Sequence, residues 1–172
     1  MIIIGYQGIG KSTLTKSNRG YIDLESGNFW WNGQRPHDWY IYYCQIAEDL
    51  SRQGYIVFVS SHKEVREFLK NKNNEEVVIV IFPSILKRDE WVKKLKDRYD
   101  ESGKEKDYKA WMNAEDRYKE NISELMYSGF YFIDIDDVLN YDLEKMIKGG
   151  IERLLIERGY KWEKLHIDQV YY

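Results

Sequence analysis

The chain has 172 residues, close to the size of one domain, so two full domains are not expected. Its 43% apolar fraction and two prolines exclude global disorder, and a formal net charge of -3 argues against a broad non-specific nucleic-acid surface. A single cysteine excludes an internal disulfide framework, and no apolar run approaches the ~20 residues that span a bilayer.

The opening Met1–Ile4 is a β-branched run that predicts a buried strand. A helix from Lys11 to about Ser17 and a second strand over Tyr21–Leu24 follow. The GNFWWNGQRP stretch reads as a loop. The spacing then predicts a helix over His37–Gln53, closed by Gly54, with Cys44 as buried filler on its apolar face. Tyr55–Ser60 is a third strand. Ser61 and Glu64 match a capping box ahead of a helix whose apolar face is Val65, Phe68 and Leu69. The NKNN stretch is a turn, and Val77–Phe82 is a fourth strand.

Trp91, Val92, Leu95 and Tyr99 predict a helix over Arg88–Tyr99, which DESGKEKD breaks. A longer helix then carries Tyr108, Trp111, Tyr118, Ile122 and Leu125. Phe130–Ile135 is a fifth strand. Helical material over Tyr141–Arg158 looks interrupted at Gly149 and Gly150, and the tyrosine-rich tail after it reads as either strand or packed tail. Strands alternating with helices predict an α/β three-layer sandwich with a mostly parallel five-stranded sheet, as one domain over 1–172. The N-terminus lacks a basic, cleavable leader, which points to a cytoplasmic protein.

Chemistry concentrates in Gly5-Tyr-Gln-Gly8-Ile9-Gly10-Lys11-Ser12, which fits G-x-x-x-x-G-K-[ST] between a predicted strand and a predicted helix. The glycines let backbone amides turn toward phosphate oxygens. Lys11 can reach the β and γ oxygens, Ser12 can ligate Mg²⁺, and Thr13 adds a hydroxyl. These residues predict ATP and Mg²⁺ as cofactors. Asp23 and Glu25 project to one side of the second strand's end, where they can serve Mg²⁺ or orient a nucleophile. No apolar strand next to the loop ends in the aspartate of a motor ATPase, and no N-K-x-D guanine signal is present.

With DLES and VFVSSHKEVREFL added, residues 1–147 resemble the small-molecule and nucleoside monophosphate kinase branch of P-loop proteins, of the shikimate-, gluconate- and adenylate-kinase-like types. They are also similar to compact nucleotide-kinase-like proteins of bacteriophages, whose setting would be the host cytoplasm. The resemblance implies a P-loop fold of the nucleotide-kinase type with a lid insertion at about 83–120. In it Asp23-Leu-Glu25 is similar to a D-x-D pair, with Glu in the second place. Lys94-Leu-Lys-Asp-Arg98 resembles the R-L-x-x-R of a lid helix, with Lys94 in place of the first Arg, and Arg117 falls where another phosphate-contacting arginine is common.

Phosphoryl transfer requires cations around the migrating group, which makes Lys11, Arg98 and Arg117 catalytic candidates beside Asp23, with Arg88 on the nucleotide. The acceptor is expected over Phe29–Arg35. Trp30, Trp31 and Trp39 would stack a base there or pack as a mini-core, and Arg35, Arg66 and Lys94 would hold the acceptor. His62 reads as a capping neighbour. The partner is a small molecule, most simply a nucleotide, with no membrane role and either a monomer or a homodimer. The alternatives are a kinase acting on polynucleotide ends or modified bases, and a nucleotide-dependent regulatory protein whose surplus Tyr and Trp form an interface.

Overall fold

The structure is a computed structural model that describes residues 1–30, 32–71 and 76–159. Five strands form one sheet: β1 (Ile2–Gly5), β2 (Tyr21–Asp23), β3 (Ile56–Val59), β4 (Val78–Pro83) and β5 (Tyr131–Ile135), in the order β2-β3-β1-β4-β5. All four pairings are parallel. Central β1 and β3 are buried at every position, as β-branched runs covered on both faces must be. Edge strand β5 alternates exposure instead, with Ile135 buried and Phe132 reaching solvent beside Phe82.

The helices are α1 (Lys11–Ser17), α2 (Trp39–Arg52), α3 (Lys63–Asn71), α4 (Arg88–Ser102), α5 (Glu105–Met126) and α6 (Leu143–Arg158). From β1 the chain steps outward to β2, then runs back across the sheet through β3, β4 and β5. Right-handed crossovers therefore put α1 on one face and α2 to α5 on the other. Helix α6 joins α1, where Asn18 Nδ2 donates to Glu144 Oε1 at 3.1 Å. The three-layer sandwich with a parallel sheet is as expected. The reversal beside β1 opens a cleft at the carboxyl ends of the strands. Among the described residues no helix is long and apolar enough to cross a membrane.

Four local expectations need correction. The break between α4 and α5 is only Gly103 and Lys104, because Gly103, at φ 62, caps α4 and its N–H returns to the Tyr99 carbonyl. Helix α6 runs unbroken through Gly149 and Gly150. A Cβ on Gly150 would meet Ile133 Cδ1 at 2.3 Å, so this glycine lets α6 press onto β5. Helix α3 opens at Lys63, and the Arg66 N–H bonds the His62 carbonyl, so Ser61 falls outside the cap position. The loop after β2 contains a 3-10 turn over Ser26–Phe29. Cys44 is fully buried. The tail from 160, most of the NKNN turn and Trp31 lie outside the described residues.

Candidate functional site

The cleft has a volume of about 1590 Å³ and, among the described residues, is lined by nine lysines and arginines against six carboxylates, a local excess of cation in an acidic chain. Its head is the connection from β1 to α1. Gly8 (φ 84) and Gly10 (φ 92) both lie in the left-handed region, which turns the loop back on itself. Gly8 has a second requirement. A Cβ there would meet Leu95 Cδ2 at 2.6 Å, so a side chain at this position would force the buried Leu95 of α4 to shift.

Lys11 folds over the loop and donates to the carbonyls of Gly5 (3.0 Å) and Tyr6 (3.1 Å). Burial pulls its ammonium below the ordinary lysine value, against the upward pull of Asp23 and Glu25; Arg98 and Lys106 lower it further. Ser12 Oγ donates to Asp23 Oδ2 at 2.8 Å, which joins the start of α1 to the end of β2. Tyr43 fixes that strand end: its hydroxyl donates to the Leu24 carbonyl (2.6 Å) and accepts from the Ser60 N–H (2.8 Å). The loop is clamped from above as well. Gln7 Nε2 donates to the Ala110 carbonyl at 2.7 Å and Trp91 Nε1 to the Gln7 carbonyl at 3.2 Å. Trp91 and Leu95 are fully buried, so they pack α4 onto the body, as expected.

The cations sort by partner. Of the six basic residues in 87–98, Lys87, Arg88, Lys93 and Lys96 pair with nearby carboxylates, and only Lys94 and Arg98 line the cleft. Arg88, expected at the nucleotide, bonds Asp89 and the Glu115 carbonyl and does not line it. Arg98 pairs with Asp107 at 2.9 Å, and its Nε is buried without a partner. Arg66 pairs with Glu124. Arg117 makes a two-pronged bond to Glu120 (2.8 and 2.7 Å) at a break in α5's helical geometry. Lys94 has no carboxylate partner among the described residues. Its Nζ lies 4.4 Å from both the Trp91 and Tyr141 ring centres and donates to the Tyr141 hydroxyl at 2.9 Å; that hydroxyl in turn reaches the Gly8 carbonyl at 3.4 Å. Burial, then Arg98, pull the Lys94 ammonium down to about 8. The residue expected to hold the acceptor therefore stands over the glycine loop.

At the other end of the cleft Arg35 also lacks a carboxylate partner among the described residues. Its Nη2 donates to Ser26 O (3.2 Å) and Oγ (3.1 Å), and the guanidinium lies 4.3 Å from the Trp39 ring centre and 5.5 Å from that of Trp30. Arg35 Nη1 lies 3.1 Å from His62 Nε2. A guanidinium only donates, so Nε2 accepts, and the proton sits on Nδ1, which donates to Ser60 Oγ at 2.8 Å. Burial, then the Arg35 charge, hold His62 below the ordinary histidine value, consistent with that neutral ring. Of the two arrangements expected for the aromatic run, the described rings form the mini-core. Phe29, Trp39 and Tyr43 pack on one another at 5.3–6.2 Å with Trp39 buried, and Trp30 is exposed beside them.

Two participants are absent from the sequence reading. Lys106 reaches Glu25 Oε1 at 3.6 Å, so the second carboxylate of the β2 pair faces α5. Lys106 was hidden because DESGKEKD reads as a break; the i,i+4 pair Glu105–Lys109, which runs out of that stretch, was the helical signal. Tyr141 left no local signal. No protein-family model matches the chain, and no curated protein matches it.

Proposed function

We propose that the protein is an ATP-dependent phosphotransferase of the P-loop nucleotide-kinase type, which moves the γ-phosphoryl group to a nucleoside monophosphate or a similar small metabolite. The observation that carries the reading is the Gly5–Ser12 loop, held in left-handed turns at Gly8 and Gly10 and wrapped by Lys11 at the head of a cation-rich cleft. The backbone amides of Gly8, Ile9 and Gly10 would face the phosphates, with Thr13 beside them. Ser12 and Asp23 suit Mg²⁺, since a hydroxyl and a carboxylate 2.8 Å apart are hard oxygen donors, and this ion needs few protein ligands. When bound, Mg²⁺ neutralises charge on the β and γ oxygens.

The chain's own residues would then do the positioning. Lys11 and Lys94 draw the triphosphate onto the loop, and Arg98, whose buried Nε has no partner, faces the migrating group. Asp23 orients the attacking oxygen. Arg35 is the natural anchor for an anion on the acceptor, because its present partners are neutral. Arg66 and Arg117 line the same wall and hold glutamates until an anion competes. The exposed Trp30 above Arg35 favours, as a second reading, a polynucleotide end stacked at this mouth.

The deciding experiment incubates the protein with Mg²⁺ and γ-labelled ATP against nucleosides, nucleoside monophosphates, sugar acids and a 5′-hydroxyl oligonucleotide. Transfer to a small acceptor is the expected result. Label on the oligonucleotide alone selects the second reading, and ATP binding with no transfer to any acceptor selects a regulatory protein.

A further inference from the structure

We propose that Tyr6 and Asn121 are the pair that reads the acceptor, taking the hydrogen-bonding edge of a nucleobase between α3 and α5; the inference rests on the phosphotransferase reading above. The Tyr6 side chain is 1% exposed, yet its hydroxyl is buried without a hydrogen-bond partner, and so is Asn121 Nδ2. Both residues line the cleft. The side chains of Asn121 and Gln7 lie beside the Tyr6 hydroxyl without completing a bond of good geometry. Buried polar groups are normally satisfied, so two unpaired neighbours in one wall mark a place where a ligand completes them.

The pair is also fixed in position. Tyr6 N–H bonds the Ile81 carbonyl at 2.9 Å, and its ring meets Tyr118 edge-on at 6.1 Å. Tyr118 is itself tied to the Ser84 carbonyl at 2.8 Å. The core therefore holds the Tyr6 hydroxyl in place, and only the Asn121 and Gln7 side chains beside it are left to turn toward it. The other unpaired cleft atoms among the described residues, Arg35 Nε and Arg98 Nε, belong to guanidinium groups that are each engaged through another nitrogen.

A carboxamide presents a donor and an acceptor side by side, and a phenol can serve as either. Adjacent donors and acceptors are what a base edge offers. A bare phosphate would be drawn instead to Lys11, Lys94 and Arg35. Helix α5 supports the placement: Lys106, Ala110, Asn113, Arg117, Asn121 and Glu124 recur at three- and four-residue steps and form its cleft face.

The test uses the full chain, ATP with Mg²⁺, and the common nucleoside monophosphates, comparing wild type with Y6F and N121L. The expected result is a fall of about tenfold in kcat/KM for the preferred monophosphate in each variant, with a reduced preference among bases and an unchanged KM for ATP. The melting temperature of Y6F should hold or rise, because the deleted hydroxyl had no partner. Turnover by wild type with both variants inside twofold of it overturns the assignment alone. So does a lowered Y6F melting temperature with an equal loss on every base, which is the mark of a structural role. No transfer by wild type to any monophosphate overturns the nucleotide-acceptor reading and the assignment with it.

Discussion

At the β1 end of the cleft the geometry is carried by backbone. Two glycines in left-handed turns, a lysine bonded to two carbonyls and an α4 packed within van der Waals reach leave little freedom. At the α2–α3 end it is carried by side chains: Arg35 is held by Ser26, His62 and two tryptophan faces, and an anion can replace some of those neutral partners without moving the main chain. The difference teaches that the first end has its shape fixed by the main chain, whereas the second can rearrange through side chains alone. Both ends share one electrostatic trait. Lys11, Lys94 and Arg35 are cleft cations with no carboxylate within ion-pair distance among the described residues, while the remaining six each hold one.

The comparison breaks most visibly at Gly8. G8A adds a methyl 2.6 Å from Leu95 in a left-handed residue, so it should destabilise the fold by about 2–4 kcal/mol. Thermal melts would then show a drop of about 5–15 °C, together with lost nucleotide binding. An unchanged melt would mean that α4 and the loop are not mechanically joined. The adaptable end should respond differently. R35A is expected to keep its melting temperature within a few degrees, raise the acceptor KM by about 10- to 100-fold and leave the KM for ATP unaltered. Equal changes in both KM values would show that the two ends are not separate seats.

Lys94 gives the smallest and most specific signal. Burial and Arg98 bring its ammonium down to about 8, so on the proposed reading a triphosphate would meet a positive charge below that pH and a neutral amine above it. The KM for ATP should be flat from about pH 7 to 7.5 and rise above 8, by at most about tenfold per pH unit. K94R, charged throughout, should stay flat across the same range. A rise of the same size in K94R would place the titrating group elsewhere.

How far the sequence was legible follows the same division. Gly5, Gly8, Gly10, Lys11 and Ser12 are neighbours in the chain, and their geometry is local, so the motif and its place after β1 were readable. The sheet was readable because buried parallel strands are continuous apolar runs. Lys94 over Gly8 was not, since its position depends on Tyr141, 47 residues away. The basic run 87–98 divided for a similar reason: i,i+3 and i,i+4 carboxylates neutralise its solvent side, and only burial selects Lys94 and Arg98. Gly149 and Gly150 looked like a break because local propensity disfavours glycine in a helix. The close approach to Ile133 outweighs that propensity. The aromatic run was the least legible, because stacking on a base and packing in a mini-core use the same residues.

The most direct measurement is calorimetric titration of ATP with Mg²⁺ into wild type and K11A, beside their melting curves. The expected result is saturable one-site binding by wild type, at least about tenfold weaker binding by K11A, and equal melting temperatures. Equal affinity in the two proteins, or no binding by wild type, would contradict a phosphate-binding role for the Gly5–Ser12 loop.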